Sequence, residues 1–70
     1  MELDEVLKRL RKELSISQEQ LARDLNVSYT TLNRWENNRT TPSRLARVAI
    51  KDYCVANAVS QEIIDALGRI

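Results

Sequence analysis

Between Leu25 and Arg47 the chain sets four arginines, Arg34, Arg39, Arg44 and Arg47, among hydroxyl and amide side chains, with Glu36 as the one acid. These groups hydrogen-bond. None of them forms a nucleophile with a base beside it, so the chemistry they offer is recognition rather than bond-breaking. Arginine presents a planar fork of donors that suits phosphates and guanine edges better than lysine does. A run of solvated surface arginines would leave the same imprint on composition. The charge is nonetheless uneven along the chain. Residues 1–24 carry five basic and six acidic side chains, residues 25–47 four and one, and residues 48–70 two and three. A formal net charge of +1 therefore conceals a basic middle third.

Other chemistries lack their parts. There is no histidine, and Cys54 is the single cysteine, so neither a disulfide framework nor a cysteine–histidine metal site can be assembled. No glycine-rich phosphate loop is present, and 70 residues are too few to close a pocket around a substrate. No enzyme, metal, cofactor or small-molecule ligand is expected. No apolar run approaches the roughly 20 residues needed to cross a bilayer. The acidic start Met1-Glu2-Leu3-Asp4-Glu5 is wrong for a signal peptide, so a cytoplasmic protein is expected. A hydrophobic fraction of 43% supplies one core, and a single domain over residues 1–70 follows. Cys54, beside Tyr53, Val55 and Ala56, reads as a buried structural thiol.

The elements that must carry the basic third are helices. Leu3, Val6, Leu7, Leu10 and Leu14 fall at helical spacing, with charged residues on the other faces. Ser17 opens a second helix, and Gln20 is placed to complete a capping box by reaching back to it. Leu21, Ala22 and Leu25 face inward, and Asn26 suits the left-handed backbone of a tight turn. Ser28 caps a third helix, whose buried positions are Leu32 and Trp35 and which ends at Asn37-Asn38. Its other residues are poorer helix formers than a surface helix needs, so helix stability did not choose them. Thr41-Pro42 signals a fourth helix with proline at its first position, and Leu45, Val48, Ala49 and Tyr53 form its apolar stripe. Ser60 caps a fifth, with Ile63, Ile64 and Leu67 apolar and Gly68 as the stop. The fold class is all-α, a compact five-helix bundle.

Two short helices joined by so short a turn must cross steeply, which is helix-turn-helix geometry over about residues 18–37. The second of them, residues 28–37, is left half exposed and fits a major groove about 12 Å wide. The stretch Leu10–Ser43, LRKELSISQEQLARDLNVSYTTLNRWENNRTTPS, resembles the Cro/Xre-type (phage-repressor) helix-turn-helix family. The likeness is carried by Ser17-Gln18-Glu19-Gln20-Leu21-Ala22, by the spacing from Ala22 to Asn26 to Leu32, by Trp35-Glu36 and by Pro42. Asn26 and Asn38 stand where that family usually has glycine, and asparagine is the commonest substitute at a left-handed position.

The resemblance implies a role for each residue. Gln18 donates to a phosphate at a helix start. Tyr29, Thr30, Asn33 and Arg34 face base edges, Arg34 toward guanine and Asn33 toward adenine, while Thr31 reaches a base or a phosphate. Ser28, Asn37, Arg39 and Thr40 hold the backbone. Arg11 pairs with Glu36 and ties the third helix to the first. The partner implied is double-stranded DNA and the role that of a prokaryotic or phage transcriptional repressor.

The same fold also serves antitoxins and protein adaptors, and it occurs as the DNA-targeting piece of larger DNA-modification or mobile-element proteins. The polar third helix favours DNA over protein, and Met1 with a full fifth helix is what a whole small protein would show. Val55, Val59, Ile63, Ile64, Leu67 and Ile70 exceed what the last two helices need for the core. They are expected either to form a homodimer through the C-terminal helices or to close over the first helix.

Overall fold

The computed structural model describes residues 1–69, which form five α-helices and no strand: α1 Leu3–Leu14, α2 Gln18–Asp24, α3 Tyr29–Glu36, α4 Arg44–Ala56 and α5 Gln61–Gly68. No helix among the described residues is long and apolar enough to cross a membrane. The architecture is all-α, and α1 is its centre. Asp4 and Glu5 in its first turn and Arg11 and Lys12 in its last oppose the helix dipole. Its stripe of Leu3, Val6, Leu7 and Leu10 is buried against α3 on one side and α5 on the other. Leu21, Ala22, Leu32, Trp35, Ile50, Cys54, Val59, Ile63, Ala66 and Leu67 complete the core. Each fully buried leucine there contributes about 1.5–3 kcal/mol of transfer free energy.

Three serines start three helices in the same way. Ser17, Ser28 and Ser43 accept from the backbone N–H groups of Gln20, Thr31 and Ala46 at 3.0, 3.0 and 3.2 Å. The capping box at α2 is half made, because the Gln20 amide donates onward to Asp24 (2.7 Å) instead of reaching back. At α4 the cap is Ser43, so Pro42 lies one residue before it, buried, rather than at the first helical position. A proline there has no side-chain oxygen to give the orphan N–H groups, and Ser43 supplies one. Ser60 does not cap α5 with its hydroxyl. Its N–H donates to the Glu13 carboxylate at 2.7 Å, so α1 holds the start of α5.

The helix ends also share one device. Ser15, Asn26, Asn38 and Ala58 have positive φ (55°, 59°, 56° and 54°), and each turns the chain out of its helix. The N–H of the next residue then bonds five residues back: Ile16 to Arg11, Val27 to Ala22, Arg39 to Arg34 and Val59 to Cys54. This is the Schellman arrangement, made four times without a glycine. In three of the four the residue after the turn is apolar and packs inward; at Arg39 it is an exposed charge.

Helix α4 departs from the expected stripe. Its buried face is Ile50 and Cys54, with Ala46 and Tyr53 half-buried against the core. Leu45, Val48 and Ala49 face outward, Leu45 being 81% and Val48 50% exposed. The reason is register. Ile50 and Cys54, four apart, already satisfy the side facing α5, and residues 45 and 48 fall on the opposite arc. The surplus expected in the last helix is correspondingly absent. Val59, Ile63 and Leu67 are buried, Ile64 is half-buried and α5 closes over α1. Of that set only Val55 is exposed, and Ile70 lies outside the described residues.

Candidate nucleic-acid interface

The α2–α3 pair is assembled by apolar contacts on the inside and one turn. Ala22 is buried where the helices meet, and its carbonyl accepts from Val27 N–H at 3.0 Å. Asn26 supplies the positive φ that lets the chain reverse within four residues. Leu32 and Trp35 then fix α3 to the core.

Beneath α3 lies the one buried charged side chain among the described residues, Glu36, 2% exposed. Arg11 grips both of its carboxylate oxygens, Nε to Oε2 at 2.9 Å and Nη2 to Oε1 at 2.7 Å. The two forks lie edge to edge, a bidentate pairing that fixes orientation as well as charge. The hydrogen bonds it donates to Glu36 raise the Arg11 pKa above its ordinary value, against the opposing effect of partial burial. Geometrically, α3 is tied to α1 25 residues earlier in the chain. Electrostatically, the one acid of the basic third is neutralised from behind, and the outer face of α3 keeps its positive sign.

That face carries Tyr29, Thr30 and Arg34, all exposed. The helix is eight residues long, about 12 Å, a length that matches the width of a major groove. Thr31 is half-buried, and Ser28 ties to it twice, accepting from its N–H and donating to its Oγ1 at 2.8 Å. The Ser28 hydroxyl is thus occupied by capping α3. Arg39 and Thr40 stand exposed just past the helix, and the backbone N–H of Arg39 is held by the Arg34 carbonyl at 2.9 Å. Two of the expected groups also bond within the protein. Asn33 is half-buried and donates to Gln18 Oε1 at 3.3 Å. Asn37 aims its side-chain nitrogen at Asn33, reaching the carbonyl oxygen at 2.8 Å and Oδ1 at 3.1 Å. The exposed Asn37 is thereby tied to α3 through its side-chain nitrogen.

Sequence reasoning missed a second polar tie. The Tyr53 hydroxyl donates to Asp24 Oδ2 at 2.8 Å and joins α4 to the end of α2. Partial burial, with the bond to Asp24, pushes the Tyr53 pKa up to about 12. Only the i,i+4 spacing of Gln20 and Asp24 was a readable sign of this network. Cys54 is buried and its thiol is pushed up to about 11, mainly by desolvation. No group of three or more metal-ligating side chains occurs among the described residues.

The arrangement is a rigid pair of helices with a positive, hydrogen-bonding outer face. No curated protein and no solved structure matched the chain. A family model described as Helix-turn-helix matches residues 7–50. That span runs from the middle of α1 through the Arg11–Glu36 tie and the α2–α3 pair to Ile50 in α4, more than half of the chain. With the fold, the turn and this match in agreement, the chain belongs to the Cro/C1-type, Xre-like helix-turn-helix family of DNA-binding regulators.

Proposed function

We propose that the protein is a sequence-specific reader of double-stranded DNA and acts as a transcriptional repressor, with α3 in the major groove. The observation that carries this reading is the outer face of α3. It offers Tyr29, Thr30 and Arg34 to a groove, while the acid beneath them is neutralised by Arg11. Arg34 reads a guanine, and the methyl of Thr30 and the ring of Tyr29 meet thymine methyl groups. Thr31 contacts a base or a phosphate beside them. Gln18, Arg39 and Thr40 hold phosphates on either side and set the register. Ser28 contributes by capping α3 and Asn37 by its contact with Asn33.

Two copies pair on DNA. The exposed Leu45, Val48 and Val55 on α4 are spaced by three and seven, and they form one apolar stripe outside the core. This stripe takes the place of the α5 surface expected for a homodimer. A two-fold pair doubles the few base pairs that one α3 can read.

The test is selection from a random duplex pool at near-physiological salt, with the retained duplexes sequenced. An enriched inverted repeat is expected. A single unpaired motif would keep the DNA reading and remove the dimer. Weak, strongly salt-dependent retention without enrichment would leave only phosphate attraction, and a protein-binding role as an antitoxin or adaptor would then replace the repressor.

A further inference from the structure

The side chains of Gln18, Asn33 and Asn37 form a directional chain across the helix-turn-helix. Asn37 Nδ2 donates to Asn33 Oδ1 (3.1 Å), and Asn33 Nδ2 donates to Gln18 Oε1 (3.3 Å). An asparagine that reads adenine must turn its carbonyl and its N–H together toward one base edge. Asn33 already commits one bond at each end, its acceptor to Asn37 at the end of α3 and its donor to Gln18 on α2. The consequence falls on Gln18. Its carbonyl is engaged from within, and its NH2 group, the end that suits a phosphate oxygen, has no partner among the described residues.

We propose that Asn33 is a positioning residue rather than a base reader: it holds the Gln18 amide with its donor outward, so that phosphate capture from α2 and base reading from α3 occur in one rigid frame. This rests on the DNA reading above. The direction of the chain gives it its function. A reversed Gln18 amide would present a carbonyl to the phosphate and repel it. Asn37 anchors the far end, since its nitrogen also bonds the Asn33 carbonyl oxygen at 2.8 Å, and the relay is fixed to the backbone of α3.

The experiment combines one spectrum with one thermodynamic cycle. In the free protein, Asn33→Ala should move the Gln18 side-chain amide resonances, while alanine, a good helix former at this half-exposed position, keeps the fold. The wild type, Asn33→Ala, Gln18→Ala and the double variant are then titrated against the enriched duplex and a scrambled one. We expect Asn33→Ala to weaken both about three- to tenfold, to return the wild-type motif on re-selection, and to add nothing once Gln18 is alanine. A relaxed preference at one base pair would make Asn33 a reader and overturn the proposal. So would effects of the two single changes that simply multiply, or unmoved Gln18 resonances. A wild type that enriches no duplex would instead sink the DNA reading itself, and this assignment with it.

Discussion

Two arginines of the basic third, five residues apart, have different surroundings and should behave differently when removed. Arg34 projects from the exposed face of α3, whereas Arg39 follows the left-handed turn at Asn38, where the other helix ends place an apolar residue. Arg34→Ala should cost about 1–3 kcal/mol on the preferred duplex and relax the preference at one base pair. Arg39→Ala should weaken all sequences alike and reduce the salt slope by about one. Titration on matched and mismatched duplexes at several salt concentrations separates the two. Arg11 belongs to stability instead. Its removal strands Glu36 in the core, so Arg11→Met should destabilise by about 3 kcal/mol. The thermal midpoint should fall on the order of 15 °C, and adding Glu36→Leu should restore most of the loss. Recovery in the double variant would show that the stranded carboxylate, rather than lost packing, was the cause.

At the scale of elements, the chain makes its turns with unusual residues. Ala58 is exposed at φ 54°, a conformation that costs a residue with a Cβ roughly 1–2 kcal/mol. Ala58→Gly should therefore stabilise the fold by about 1 kcal/mol, net of the extra freedom glycine gives the unfolded chain, as read by denaturant unfolding. The Tyr53–Asp24 tie gives a pH signature. The folded pKa of Tyr53, about 12, lies above its ordinary 10.0, so the fold favours the protonated phenol. That contribution is complete below pH 10 and is lost as pH rises toward 12. Stability measured across this window should fall, and it should fall less in Tyr53→Phe. Cys54, raised from 9.0 to about 11, adds a loss of the same sign that Tyr53→Phe retains.

Much of this scale was legible beforehand. The five helices, the caps Ser17 and Ser28, and the left-handed Asn26 and Asn38 follow from spacing and local chemistry, which a linear reading sees; at α4 the cap is Ser43 rather than the expected Pro42 start, and Ser60 gives α5 no side-chain cap. Ser15 and Ala58 do not, because neither residue type advertises a positive φ. The outward turn of Leu45 and Val48 was hidden for another reason. Periodicity shows that a helix has an apolar stripe, and Ile50 and Cys54 form a second one that only packing can choose. The same holds for the polar ties, in which Asn33 and Asp24 find partners 15 and 29 residues away.

For the whole molecule, the proposed pairing rests on the exposed stripe of α4, since α5 is closed over α1. Leu45→Glu should leave unfolding unchanged to within about 0.5 kcal/mol, since nothing buried is touched. In sedimentation it should shift the protein toward monomer, and it should lower affinity for an inverted repeat more than for a half-site. An unchanged sedimentation profile would move the interface off α4. The grip of α1 on α5 has a consequence for how the protein is made. Glu13 waits for the N–H of Ser60, and the stripe of α1 waits for Ile63 and Leu67, so α1 is sealed by a helix that emerges well after it. A ribosome delivers the α2–α3 pair well before it delivers that seal. Until then α1 stays partly bare, and the frame that holds Glu36 under the reading helix is unsupported on one side. An interrupted chain would therefore carry the exposed face of α3 on a scaffold that opens more easily to proteases. A firmly held α3 thus requires that translation has run past α5.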